Sequence, residues 1–404
     1  FNAFSGSGDV TAEVVYVNYG TREDFMKLAE MGVPLAGKIA VARYGGNFRG
    51  YKAKYAEQYG MIGLVVYTDP KDSGFTRGEV YPKGPFFNET TIQRGSMLTL
   101  DFTGDPLTPN RPALPLDGTK KIKRDDPADV DFHAIPVTPI GYGAAKEILS
   151  RMTGSEAPEA WQGGLPFKYR ITGGPELKVR VMVDQKPDFI RANNVVGTFV
   201  GKDFPDEWII MGSHYDAWSF GATDPNSGTA MLLTFAEALG DLYKNGQKPS
   251  RSILIGHWDA EEQGVIGSTE WVEHLKKELG AKTISYMNFD GGVSGRNFGA
   301  SAAPTLKKLI IDASKEVTYP EKPTIYITKS NWIRAKYSGM FHGYTQIGNY
   351  VTKGQLLATI SDPYGKIEFT VKAPNSGYII NVNDAPIVYQ GDAIYHISTQ
   401  ISDV

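Results

Sequence analysis

The stretch Trp208-Ile209-Ile210-Met211-Gly212-Ser213-His214-Tyr215-Asp216 decides the architecture. An apolar run reads as a strand, and a histidine follows it directly, at the edge where catalytic groups collect. Upstream, Val195-Val196-Gly197-Thr198-Phe199-Val200 is another strand. Downstream, 229–243 has helical spacing, with Met231, Leu232, Phe235, Leu239 and Leu242 on its apolar positions. Ser252-Ile253-Leu254-Ile255-Gly256-His257-Trp258 is a third strand, 267–279 a second helix, and Ile284-Ser285-Tyr286-Met287-Asn288-Phe289 a fourth strand. Strands alternating with helices predict an α/β domain with a mostly parallel sheet, whose ligands bind beyond the carboxyl ends of the strands.

The flanking regions differ in texture. Before about residue 183 the chain reads as β-rich. It has strands at 12–17, 35–44 and 62–68, a helix at 51–59 ending at Gly60, and a Pro-, Gly-, Asp- and Thr-rich tract at 70–127 that predicts long loops. Near Asn331 short strands at close spacing begin (348–360, 377–382, 391–397), as in a small all-β module. The boundaries drawn are 1–183, 184–327 and 328–404.

Composition narrows the function classes. Lys+Arg 42 against Asp+Glu 45 leave a net charge of −3. No basic excess exists to neutralise phosphate backbones, which argues against nucleic acid as a partner. Cys 0 removes disulfides, thiolate metal sites and cysteine nucleophiles, so any metal rests on His, Asp or Glu. No apolar run approaches the roughly 18 residues of a membrane span. Phe1-Asn2-Ala3-Phe4 shows neither the charged start nor the apolar core of a signal peptide.

Four clusters fall at strand or helix ends: Ser213-His214-Tyr215-Asp216, Thr223-Asp224-Pro225-Asn226, Asp259-Ala260-Glu261-Glu262 and Phe289-Asp290-Gly291. Imidazole and carboxylates are the ligands zinc accepts. Two ions sharing a bridging carboxylate can hold a water and stabilise a tetrahedral intermediate. Adjacent glutamates divide the labour: Glu262 binds metal while Glu261 acts as general base on the water and later protonates the leaving amine. Asp216 is placed to accept the second ring N–H of His214 and orient it. Singly, each piece is ordinary: Asp-Pro and Asp-Gly are turn residues, and Glu-Glu suits a helix start. Their recurrence at consecutive element ends carries the reading.

Tyr16-Val17-Asn18-Tyr19-Gly20, Ala42-Arg43-Tyr44-Gly45, Phe48-Arg49-Gly50, Gly104-Asp105-Pro106-Leu107-Thr108-Pro109, Trp258-Asp259-Ala260-Glu261-Glu262 and Gly267-Ser268-Thr269-Glu270-Trp271 resemble the glutamate carboxypeptidase II and transferrin-receptor-like dizinc peptidase family, from the first residues to about 326. The resemblance implies a protease-associated (apical) domain followed by a zinc peptidase core. It implies two zinc ions held by His214, Asp224 as the bridge, Glu262 and Asp290, with Glu261 as base. It implies that Arg49 receives the α-carboxylate of a peptide substrate with C-terminal glutamate, and that Thr108, Glu270 and Glu273 hold calcium, although Arg111 stands where a tyrosine is expected. It further implies a homodimer, whose helical domain is not found here, and an extracytoplasmic setting, with which the sequon Asn88-Glu89-Thr90 agrees.

Departures from the family pattern are Ser96 for asparagine, Ala300 for an arginine of the acidic-side-chain pocket, and above all the last zinc-binding histidine. Beyond Asp290 only His342 and His396 occur. Trp332-Ile333-Arg334-Ala335, Val351-Thr352-Lys353-Gly354-Gln355 and Gly391-Asp392-Ala393 resemble the C-terminal β domain of succinylglutamate desuccinylase/aspartoacylase-type deacylases, a barrel-sandwich-like fold, in which Lys366 reads as an ordinary turn lysine. The expected function is a zinc-dependent, glutamate carboxypeptidase-like exopeptidase. The alternative is a catalytically impaired binding or structural homologue lacking the last zinc ligand. A zinc N-acyl amino-acid deacylase ranks lower, because the His-x-x-Glu pair it needs is absent from the sequence.

Overall fold

A computed structural model describes residues 2–186, 188–293, 298–317, 325–362, 364, 368–383 and 385–403, with the backbone alone at 325–328 and 401–403. The chain forms two compact units, Phe1–Asn297 and Phe298–Val404.

The first unit opens on a five-stranded sheet in the order Val137–Ile140, Gly63–Tyr67, Ile39–Arg43, Gly8–Tyr16, Lys178–Val183. The first four strands are parallel and the last pairs antiparallel with Gly8–Tyr16. Ile39 to Ala42 and Leu64 to Tyr67 are buried residue after residue. Central strands covered on both faces carry no polar alternation, which explains the unbroken apolar runs. Phe25 and Leu28 from the helix Arg22–Glu30, and Ala53 and Ala56 from Arg49–Gln58, complete this core. Between residues 74 and 136 only the two-residue strand Gly95–Ser96 and the turn Pro127–Asp129 are regular, in line with the composition of that tract.

The second sheet of this unit has the order Thr283–Asn288, Phe204–His214, Arg251–Trp258, Val195–Phe199. Its first three strands are parallel and Val195–Phe199 is antiparallel. Trp258 lies opposite His214 and Asn288 opposite Gly212, so the carboxyl ends of the three parallel strands form one edge. The helix expected at 229–243 runs Asn226–Lys244. Its first turn, Asn226-Ser227-Gly228, is polar and lies outside the apolar period. The helix expected at 267–279 is two pieces, Ile266–His274 and Lys276–Lys282, and the short helix Glu261–Gly264 precedes them. The chain breaks at Val265, which adopts a left-handed φ of 57°. That conformation is costly for a β-branched residue. It is held by Val265 N–H donating to Glu261 O at 2.7 Å and Gly267 N–H to Asp259 O at 2.9 Å.

The second unit contains the helix Pro304–Glu316 and two four-stranded antiparallel sheets. One has the order Ile325–Arg334, Ala393–Asp403, Gly377–Val382, Tyr350–Val351; the other Glu368–Lys372, Leu356–Ser361, Gly339–Gly343, Ile387–Val388. Val351, Leu357, Ile360, Ile379, Tyr395 and Ile397 form its core. Lys366 lies outside the described residues. Among the described residues no helix is long and apolar enough to cross a membrane.

Candidate metal centre

Three donors converge from three elements. His214 closes its strand, Asp290 stands two residues past Thr283–Asn288, and Asp224 stands two residues before the helix Asn226–Lys244. His214 Nε2 lies 2.9 Å from Asp224 Oδ1 and 2.6 Å from Asp290 Oδ1. One donor atom from each lies within 4.8 Å of the others. The imidazole is 2% exposed, whereas the carboxylates are 63% and 52% exposed. A buried nitrogen thus faces two oxygens at the protein surface, open to a ligand from solvent.

Small residues make this convergence sterically possible. A Cβ on Gly228 would lie 1.4 Å from the Phe289 carbonyl oxygen, so only glycine lets the helix start approach the Asp290 loop. Ser227 Oγ accepts the Gly292 N–H at 2.9 Å and fastens that loop. Thr229 Oγ1 donates to the His214 carbonyl at 2.7 Å. Sequence reasoning placed Ser227 and Gly228 in the Asp224 cluster without a role for either and passed over Thr229. Their signal is the small polar run Asn226-Ser227-Gly228-Thr229 immediately after Asp224-Pro225.

Asp216 meets His214 Nδ1 through two of its oxygens. His214 Nδ1 is 2.9 Å from the main-chain carbonyl of Asp216 and 3.4 Å from its carboxylate. The carbonyl is the nearer acceptor of the ring N–H, and Nε2 is turned toward Asp224 and Asp290. The carboxylate instead accepts the amides of Glu261 at 3.0 Å and Glu262 at 3.1 Å. Burial alone would raise its pKa, but the contact with His214 and the two amides bring it below the usual aspartate value. Asp216 thus joins the histidine turn to the glutamate turn.

Glu261 lines a cavity of about 850 Å³ together with His214 and Asp290. Burial raises its pKa, opposed by His214 and reinforced by Asp290, Asp216 and Asp224. Glu262 lies outside the close three-donor cluster. Burial and the fields of Asp224 and Glu261 push its carboxyl up to about 7. Burial lowers the His214 pKa, but Asp216, Glu261 and Asp290 together carry it to about 9. An imidazole that gathers a proton among carboxylates occupies a site built for positive charge.

The remaining expected residues lie elsewhere. Arg49 donates to the Ser96 carbonyl at 3.3 Å, packs on Phe48 at 5.1 Å, and leaves its buried Nε without a hydrogen-bond partner. It is not among the residues lining the cavity. For calcium the donor set is divided. Thr108 Oγ1 and Glu273 Oε2 are buried without partners. Glu270, however, already accepts the amides of Asp105 and Ala113, one on each oxygen. His342 and His396 belong to the second unit, where His396 stacks on Trp332 with centroids 4.3 Å apart.

A sheet whose parallel strand ends gather an imidazole and carboxylates beside a cavity can hold a metal ion there. Residues 194–333 match the model of Peptidase family M28, and residues 10–100 match the PA domain. The chain thus carries a PA domain ahead of a segment similar to Peptidase family M28. It is 37% identical over 347 residues to Aminopeptidase NAALADL1 of Mus musculus, covering 83% of this chain and 46% of that protein. It is 38% identical over 330 residues to a glutamate carboxypeptidase 2 homolog of Caenorhabditis elegans, covering 79% and 42%. A probable glutamate carboxypeptidase of Arthroderma benhamiae is 41% identical over 334 residues, covering 80% and 45%. The chain thus spans about half the length of these curated relatives. Among solved structures, a zinc aminopeptidase from Bacillus subtilis aligns at 19% identity with a TM-score of 0.36, covering 70% of this chain and 50% of that one.

Proposed function

We propose that the chain provides the active site of a zinc-dependent exopeptidase in which Glu261 is the general base. The observation carrying this reading is His214 Nε2 within 2.9 Å of Asp224 and 2.6 Å of Asp290, with Glu261 facing the same cavity. One imidazole and two carboxylates are a zinc donor set. Asp224 and Glu262 are the donors available to a second ion. When bound, zinc supplies a Lewis acid that polarises the scissile carbonyl and makes water a better nucleophile. His214 donates its Nδ1 proton to the Asp216 carbonyl and so presents Nε2 as a fixed acceptor. Glu261 takes the proton of the attacking water and returns it to the leaving amine; a carboxylate whose pKa is raised by burial is a stronger base for this transfer.

A second reading, a binding homologue with impaired chemistry, is favoured by one observation: among the described residues the three-donor cluster has a single histidine. Zinc per chain by elemental analysis, combined with Glu261→Gln, decides between them. We expect bound zinc in both proteins, metal-dependent peptide hydrolysis in the parent, and a loss of about 10²- to 10⁴-fold in the variant. Zinc without hydrolysis supports the impaired homologue. Hydrolysis untouched by Glu261→Gln removes the assigned base, and a protein that takes up no zinc refutes the peptidase reading and supports the impaired homologue.

A further inference from the structure

The turn that carries Glu261 is strained, and its two ends are fixed by its own segment. On the strand side, Trp258 is 3% exposed and its indole packs over Gly212 and Gly256, where a Cβ would lie 2.4 Å and 2.3 Å from it. Trp271 of the helix Ile266–His274 packs on that indole, with ring centroids 5.0 Å apart. Asp259 N–H donates to Asn194 Oδ1 at 3.1 Å, and Asn194 Nδ2 donates to Gly267 O at 2.7 Å. Between these anchors the backbone is left-handed at Ala260 (φ 54°), Gly264 (φ 153°) and Val265 (φ 57°). Alanine and valine hold such a conformation only where their surroundings over-determine it. The helix Glu261–Gly264, moreover, is too short to satisfy its last carbonyls internally.

Those carbonyls are met from a distant part of the chain. Ser96 Oγ donates to Gln263 O at 3.0 Å, and Gly104 N–H donates to Gly264 O at 3.0 Å. Leu98 closes on the same place: a Cβ on Gly264 would lie 2.9 Å from its Cδ1. Ser96 is 7% exposed, and its hydroxyl also accepts the Leu98 N–H at 3.2 Å, which fixes the donor. The segment is seated at both ends: Gly95–Ser96 pairs with Asn2–Ala3, and Asp105 N–H donates to Glu270 Oε1 at 2.6 Å. Ser96 and Leu98 fall in the PA match and the glutamate turn in the M28 match, so one domain braces the other. Neither Ser96 nor Leu98 lines the cavity. Among the described residues, the side chains of His214, Asp224 and Asp290 bond only to one another and to Asp216. The brace therefore bears on the base and bypasses the metal donors.

We propose that the segment 96–104 is a splint for the glutamate turn, in which Ser96 and Leu98 are positioning residues that aim Glu261 without touching metal or substrate. Its effect on rate rests on the exopeptidase reading; the splint itself is testable in chelator-treated protein. Ser96→Ala, Ser96→Thr and Leu98→Ala are compared with the parent. Hydrogen exchange is followed at the Val265, Ile266 and Gly267 amides, which close the turn on Glu261, Ala260 and Asp259. In Ser96→Ala it should accelerate about three- to tenfold, the worth of one hydrogen bond. Ser96→Thr keeps the hydroxyl and should restore the parent rate, and Leu98→Ala should act in the direction of Ser96→Ala. Zinc content should not change. For the dipeptide that the zinc-loaded parent cleaves fastest from a mixed library, kcat should fall by a similar factor with KM held within about twofold. Circular dichroism checks folding; if Ser96→Ala does not fold, Leu98→Ala carries the test. Unchanged exchange in both variants would overturn the splint. A raised KM at constant kcat would also overturn it, by placing Ser96 on the substrate, and so would faster exchange with kcat intact. A parent without hydrolysis would count against the exopeptidase reading, and exchange alone would then decide whether the segment holds the turn.

Discussion

Replacing Asp216 by asparagine separates two functions that one residue performs. The side chain keeps its shape, and the main-chain carbonyl that receives His214 Nδ1 at 2.9 Å is untouched. What changes is the carboxylate beneath the glutamate turn. It accepts the amides of Glu261 and Glu262 at 3.0 and 3.1 Å. Asparagine offers one acceptor oxygen and turns an NH2 group toward the second amide. One charge-assisted bond becomes neutral and one partly buried N–H loses its partner, a loss of about 2 to 4 kcal/mol from the local structure. Relief of repulsion among the neighbouring carboxylates offsets part of this, leaving about 2 kcal/mol, or roughly 30-fold in the local opening equilibrium. Hydrogen exchange at the Glu261 and Glu262 amides should therefore accelerate by about that factor. Hydrolysis should fall, because Glu261 is no longer held. Zinc affinity should change by less than about threefold. If instead the carboxylate were the group that orients His214, removing it would cost about 10- to 100-fold in metal affinity. Zinc loss on that scale with exchange unchanged at both amides would refute the reasoning.

Two further outcomes follow from packing and from charge. Gly228→Ala places a Cβ 1.4 Å from the Phe289 carbonyl oxygen, so the helix start and the Asp290 loop must separate. We expect a loss of about 3 kcal/mol in urea unfolding and a drop in zinc affinity, at the upper end of ordinary overpacking; an unchanged urea midpoint would contradict the geometry. Glu57 accepts the amides of Ala134 at 2.6 Å and Ile135 at 3.0 Å and pairs with His133 at 3.2 Å. Burial opposes its ionisation, but these partners bring its pKa below the usual 4.5. A folded pKa below the unfolded one gives stability that is complete above about pH 4.5 and is lost as pH falls through the folded value. Thermal unfolding between about pH 5 and 3 should show a shallower pH slope in Glu57→Gln than in the parent, and identical slopes would exclude the linkage.

Much of the α/β order was legible because buried parallel strands announce themselves as apolar runs and their carboxyl ends are where functional residues follow. His214 and Asp290 drew notice that way and Asp224 by its place before a helix, while their assignment as ligands came from the family resemblance. The short helix Glu261–Gly264 ahead of the one expected at 267–279 was not legible, because the left-handed Val265 that separates the two is held by bonds to Glu261 O and by Gly267 N–H donating to Asp259 O. Asp216 shows a second limit. Spacing places a carboxylate near the histidine, but only the fold of the turn decides whether the carbonyl or the side chain meets the ring. The histidine beyond Asp290 illustrates a third: its type can be sought in the sequence, whereas its arrival at the cluster depends on long-range topology.

The indole of Trp258 lying over Gly212 and Gly256 ties three positions on two neighbouring strands into one unit of inheritance. Neither glycine can gain a methyl group while the tryptophan remains, and a smaller residue at 258 would remove the reason for both glycines. The cost of Gly256→Ala should therefore shrink in a Trp258→Leu background, a coupling of about 1 kcal/mol or more between side chains that occupy the same space. Variation at these positions would then proceed in concert, and the order of substitution would matter: the large residue must leave before either small one can grow.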